Sequence, residues 1–249
     1  MKKYVTVACF LLLFYSCSKN DSNNPPASTG SQSNNLATGA SAHDFLSGDI
    51  FSTLTIQVVY SPGMKLQQQS IDNLAAFLQA HLHKTGGITV TQYPVASIAK
   101  STVSIDDVSN FEKSNRTVFT SGVNMGVCIL AVDAGYTTAG VAGVAYKNTS
   151  IVLLEKTIQA NSGGLTQASR VVVETAVLEH EFGHLLGLVN TGTGMVTPHE
   201  DDAHKAHCTD NNCLMYYQLE TSGFLAQLTG TVPQLDDNCE NDLKNNGGK

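Results

Sequence analysis

The chain has 249 residues, 42% of them apolar, which suits one domain of ordinary size with a real core. Its net charge is −7 and the few Lys and Arg are scattered, so it lacks the basic stripe of a nucleic-acid binder. Six cysteines are too few to act as a disulfide scaffold at this length.

Residues 1–17 read as a targeting segment. Lys2 and Lys3 give the positive start, and the apolar run 4–15 is too short to be a permanent membrane span. Phe14-Tyr15-Ser16-Cys17 resembles a bacterial lipobox, which implies cleavage before Cys17 and a lipid on it; an ordinary secretory signal cut nearby is the alternative. The expectation is an exported protein, lipid-anchored to the bacterial cell envelope on its periplasmic or surface side. Residues 18–49, rich in Ser, Asn, Pro and Gly, bury almost nothing and are expected to form a disordered tether.

The folded part then spans 50–249. Thr53 to Tyr60 alternates and is β-branched, the pattern of a strand closed by Ser61-Pro62-Gly63. Within 66–84, Ile71, Leu74, Ala75, Leu78 and Leu82 recur at helical spacing, ended by Gly86-Gly87. Strands are expected at 88–95, 123–132, 140–147 and 151–154, and short helices at 104–114 and 235–245. A long helix is expected over 165–187. On its wheel Val173 and Val177 share the side of His180 and His184, while Val171, Leu178, Phe182 and Leu185 cover the other side, so this helix is buried. The element order predicts an α/β domain of zincin-like α+β type. A mixed twisted sheet lies over that helix in subdomain 50–188, followed by a loop-rich subdomain 189–249.

The helix ends in His180-Glu181-Phe182-Gly183-His184. Histidines four apart lie about 40° apart and roughly 6 Å along the axis, so both imidazoles can reach one zinc while Glu181 faces a water there. The carboxylate is placed to take the proton of that water as it attacks a carbonyl. Gly187 can end the helix with positive φ and turn the chain back.

The run His180 to Leu188 resembles the metzincin signature H-E-x-x-H-x-x-G-x-x-H, with Asn190 standing where the third histidine belongs. His207-Cys208-Thr-Asp-Asn-Asn-Cys213-Leu214-Met215 resembles the H-C-x4-C-x-M segment of the archaemetzincins, displaced by an inserted segment, 191–206. The resemblance implies a zinc-dependent endopeptidase with one catalytic Zn²⁺, a peptide or protein substrate and no obligate oligomer. It implies His180, His184 and His207 as ligands, Glu181 as catalytic base, Met215 as the Met-turn and Tyr217 as a possible transition-state donor. His199 and His204 compete with His207 for the third position. Two rival readings stay open: a Glu or Asp third ligand such as Glu200 or Asp201, and a zinc-containing surface lipoprotein that binds a partner without cleaving it.

The archaemetzincins also complete a second, structural zinc with a downstream C-x-x-C, where this chain keeps only Cys239. A Cys208–Cys213 disulfide is the simpler account for an exported protein, and Cys128 reads as a buried thiol. Residues 140–146 resemble the metzincin edge strand that pairs with an extended substrate; a plain Gly/Ala-rich strand is the alternative.

Overall fold

A computed structural model describes residues 33–228 and 230–249. Cys17, with the signal segment and the lipid anchor expected there, lies outside the described residues.

Five strands form the main sheet in the order β2-β1-β4-β7-β6: β1 (Thr53–Tyr60), β2 (Gly87–Pro94), β4 (Asn124–Ala131), β6 (Gly143–Lys147) and β7 (Ser150–Leu153). All neighbours are parallel except β6, which runs antiparallel to β7 on the edge. A two-stranded parallel ladder, β3 (Thr102–Val103) with β5 (Gly135–Tyr136), stands apart. The alternation of the strands sorts side chains to two cores. Leu54, Ile56, Val58, Val127, Ile129 and Ala131 face one that also holds α2 (Gln68–His81) and α5 (Arg170–Leu185). Val59, Cys128, Leu130 and Val132 face the other, under α3 (Ile105–Asn115). Cys128 is fully buried, and burial pushes its thiol up to about 12, as befits an inert core residue.

Helix α5 packs on α2, β6 and β7, and every residue from Val173 to Leu185 is buried. It starts later than expected. Ser169 caps it by accepting from the Val172 N–H, and Leu165 stands in solvent beyond the Gly163-Gly164 turn. Two short helices went unread in the sequence, α4 (Glu155–Ala160) and α1 (Ala42–Leu46).

The tether boundary expected near residue 49 is corrected. Ser33–Asn35 already form a 3₁₀ turn, and α1 buries Ala42, Phe45 and Leu46. Phe45 meets Phe182 of α5 edge-on, ring centroids 6.1 Å apart. Lys84 fastens the same segment by donating to the Asp44, Ser47 and Phe51 carbonyls at 2.6–2.7 Å. Beyond α5 the chain is mostly loop, with a 3₁₀ turn (Tyr217–Glu220), α6 (Ser222–Leu225) and α7 (Asp237–Asn245). No described helix is long and apolar enough to cross a membrane.

Candidate metal centre

One turn of α5 sets His180 above His184 on the face that looks toward the C-terminal loops. The His180 Nδ1–H donates to the Leu214 carbonyl at 2.7 Å, which fixes the tautomer and leaves Nε2 free. His184 Nε2 lies 3.2 Å from His180 Nε2, close to the edge of about 3.4 Å that two imidazole ligands span on tetrahedral zinc. His207 enters from the loop, its Nδ1–H held by the Lys205 carbonyl at 3.0 Å, and its buried Nε2 has no hydrogen-bond partner. Its ring centroid is 5.4 Å from that of His180 and 5.0 Å from that of His184. Burial pushes the His180 imidazole down to about 3 and lowers His184 and His207 as well, so all three are the neutral form that binds a metal. Converging neutral imidazoles with an orphaned nitrogen fit a divalent zinc-like cation.

Glu181 stands beside them. Its Oε2 accepts the Ala145 N–H of β6 at 2.7 Å, while Oε1 is buried and unbonded. Burial, reinforced by the nearby Glu220 carboxylate, raises its pKa well above the usual range. Gly143 makes room for it, since a Cβ there would lie 2.6 Å from Glu181 Oε1. Met215 is buried directly beneath α5; a Cβ on Gly183 would collide with its sulfur. The Met215 carbonyl accepts the Cys208 N–H at 2.8 Å, closing the loop that carries His207.

Just before the inserted segment Gly187, Val189 and Asn190 are all at positive φ, where the chain leaves the helix; Asn190 points to solvent. Of the competing candidates, none joins the triad. His204 binds Asp201 at 2.8 Å and stacks flat on Tyr217, ring centroids 3.5 Å apart. Tyr217 is thus held by the insert, and its hydroxyl accepts from Gln218. Glu200 is engaged by the Ala206 N–H, and Asp201 by the Ala203 N–H besides His204. The carboxylate that does join the three histidines is Glu220, whose ligand atom lies within 4.8 Å of theirs. Sequence reasoning missed it.

A cavity of about 220 Å³ opens on this centre, lined by Thr38, Val144, Glu181, His184, Thr191 and Glu220. Residues 36–38 lie along its β6 wall. Thr38 Oγ1 donates to the Ala145 carbonyl and the Asn148 N–H to the Leu36 carbonyl, both at 3.0 Å. Ala145 in mid-strand therefore has its N–H bonded by Glu181 and its C=O by Thr38.

The disulfide expected between Cys208 and Cys213 is not formed; each is a free thiol that also meets other partners. Cys208, Cys213 and Cys239 are buried free cysteines, with Cys213 and Cys239 sulfurs 3.6 Å apart, well outside bonding at about 2.05 Å. His199, from the insert, brings Nδ1 to 3.3 Å of Cys208 Sγ while its Nε2–H is held at 2.8 Å by the fully buried Asp242. His199, Cys208, Asp236 and Cys239 put ligand atoms within 4.8 Å of one another. The Cys208 and Cys239 thiols, by hydrogen-bonding Cys213, hold it well below the usual thiol range. Soft sulfurs and one oriented imidazole can hold a structural zinc, with His199 in place of the missing fourth thiolate.

No protein-family model and no curated protein matches the sequence. The fold does match a solved one: the crystal structure of archaemetzincin from Methanopyrus kandleri, at 15% identity and a TM-score of 0.53, covering 78% of this chain and 96% of that one. The chain has an archaemetzincin-like fold. The mixed sheet over a buried helix expected from the sequence is the architecture found.

Proposed function

We propose that the protein is a zinc-dependent endopeptidase in which His180, His184 and His207 hold the catalytic ion and Glu181 is the catalytic base. The observation that carries this is the meeting of three neutral imidazole nitrogens in one cluster, with the unbonded Glu181 Oε1 in the cleft that His184 also lines. Zinc bound there would polarise a peptide carbonyl and acidify the attacking water. Glu181 takes that water's proton on Oε1 and returns it to the leaving amine, while the Ala145 N–H keeps the carboxylate aimed. Its raised pKa suits both halves of that transfer. Leu214 and Lys205 hold the ligand rings by their distal nitrogens. An extended peptide pairing with β6 competes with Thr38 for the Ala145 carbonyl. We further propose a second ion at the cluster of His199, Cys208, Asp236 and Cys239, with the Cys213 thiol beside it, and attachment of the exported chain to the cell envelope through Cys17.

Glu181→Gln keeps the shape but cannot accept a proton. Peptide hydrolysis should fall by about 10³-fold or more with bound zinc unchanged. Wild-type rates in that variant would reject the mechanism.

A further inference from the structure

We propose that Glu220 is a fourth protein donor to the ion held by His180, His184 and His207. The resting site is then closed by four side chains, and the carboxylate must swing aside before a substrate carbonyl reaches the ion. The proposal rests on the assignment of the three histidines made above.

The backbone aims Glu220 at the centre. It ends the 3₁₀ turn that follows Met215, and its carbonyl accepts the Ala142 N–H at 2.8 Å, just before β6. Thr221 bridges Val141 and the Ser222 N–H donates to Gly140, so the chain on both sides is pinned to the strand that walls the cleft. From there the side chain reaches inward, with Oε1 3.9 Å from His207 Nε2. Ligand atoms bound to one tetrahedral zinc lie about 3.3 Å apart, and with every donor pair of this cluster already within 4.8 Å a small swing of a flexible side chain closes the set.

The carboxylate has no other occupation. Only 30% of the side chain remains exposed, and among the described residues neither Lys nor Arg pairs with it and no hydrogen-bond donor reaches it. A desolvated carboxylate without a partner is costly. Glu181 lines the same cleft as His184 and Glu220, with one oxygen unbonded. One carboxylate and three imidazoles within 4.8 Å of one another, with a second acid in the same cleft, are best accommodated around a cation. The other acidic residues of the region are committed elsewhere, Glu200 and Asp201 to the insert's own amides and Asp236 to Cys208.

The test is zinc affinity by chelator competition, with the cobalt(II) visible spectrum as second readout and the cysteine cluster kept filled with zinc. In full-length Glu220→Gln, affinity at the histidine site should fall at least about tenfold, and the cobalt bands should shift as a carboxylate oxygen leaves the coordination sphere. Glu220→Asp, a smaller change should Gln disturb folding, retracts the carboxylate by one methylene and should also weaken binding. Folding of both variants is checked by circular dichroism. Unchanged affinity and an unchanged cobalt spectrum in folded variants would overturn the proposal. Failure of the wild type to bind zinc through His180 and His184 would instead overturn the function from which it starts.

Discussion

His207 and His204 are close in sequence but do different work. His207 buries an unbonded Nε2 against two other imidazoles, whereas His204 spends its Nδ1 on Asp201 and its ring on Tyr217. His207→Ala should therefore lose the catalytic zinc, and His204→Ala should keep it; equilibrium dialysis on the two variants checks this, and the opposite outcome would reassign the third ligand. Residue by residue, the site was legible where local geometry decides it. His180, Glu181 and His184 are fixed by the pitch of one helix, and His207 and Met215 by a spacing that resembles a known segment. Glu220 and His199 carry no such spacing. Each is a lone residue in polar loop sequence, delivered by tertiary pairing, Glu220 through Ala142 and His199 through Asp242. The disulfide expectation failed for the same reason, since it weighed Cys239 only as one thiolate short of a site and could not see the His199 imidazole that the fold brings to Cys208.

Elements of eight or more residues were readable, because burial imposes a period on them: β1 and β4 alternate between two cores, and α5 is apolar on both sides. Helices α1 and α4, with five and six residues, are too short to show a period, and α1 hides in a polar stretch. Yet α1 is part of the core. Phe45 is fully buried against Phe182 next to the metal ligands, so Phe45→Ala should cost about 3–4 kcal/mol of unfolding free energy by denaturant titration. A cost under about 1 kcal/mol would return α1 to the tether. A second junction, where α4 meets α5, sets a pH response. Glu155 and Glu174 share Arg170, and Glu155 is buried with Oε2 unbonded. Burial, then the charge of Glu174, pushes Glu155 up to about 8. Its folded pKa lies above its unfolded value of 4.5, so the native state holds a proton that the unfolded state has lost. Stability from this group is full below about pH 4.5 and declines as pH rises to about 8. Glu155→Gln should remove that decline, worth up to about 4 kcal/mol, in urea titrations at pH 5 and pH 8.5; an unaltered slope would show the pair ionises freely.

At the scale of the whole molecule, two kinds of cohesion meet. Residues 33–188 are held by the sheet and its two apolar cores, and Leu214, Met215, Leu219, Leu225 and Leu243 from the C-terminal part join the core that holds α2 and α5. The described residues after 188 have little regular structure besides α6 and α7, and a buried polar centre there gathers His199, Cys208, Asp236 and Cys239, with Cys213 against Cys239. Without a cation, three packed sulfurs and the Asp236 carboxylate would be a strained centre; with one, they cross-link the loop that positions His207 and Met215. The whole protein is therefore expected to bind two zinc ions, and the second should support the first. Cys239→Ser should bind at most one ion, melt about 10 °C lower, as a loss of about 3 kcal/mol implies for a domain of this size, and hold its remaining zinc more weakly than wild type. His199→Ala should act in the same direction, while Glu181→Gln keeps both ions and its melting temperature. Elemental analysis and calorimetry on the purified chain decide it. One zinc per wild-type chain, with Cys239→Ser melting like wild type, would show that the thiols are merely packed and that the loop stands without a metal.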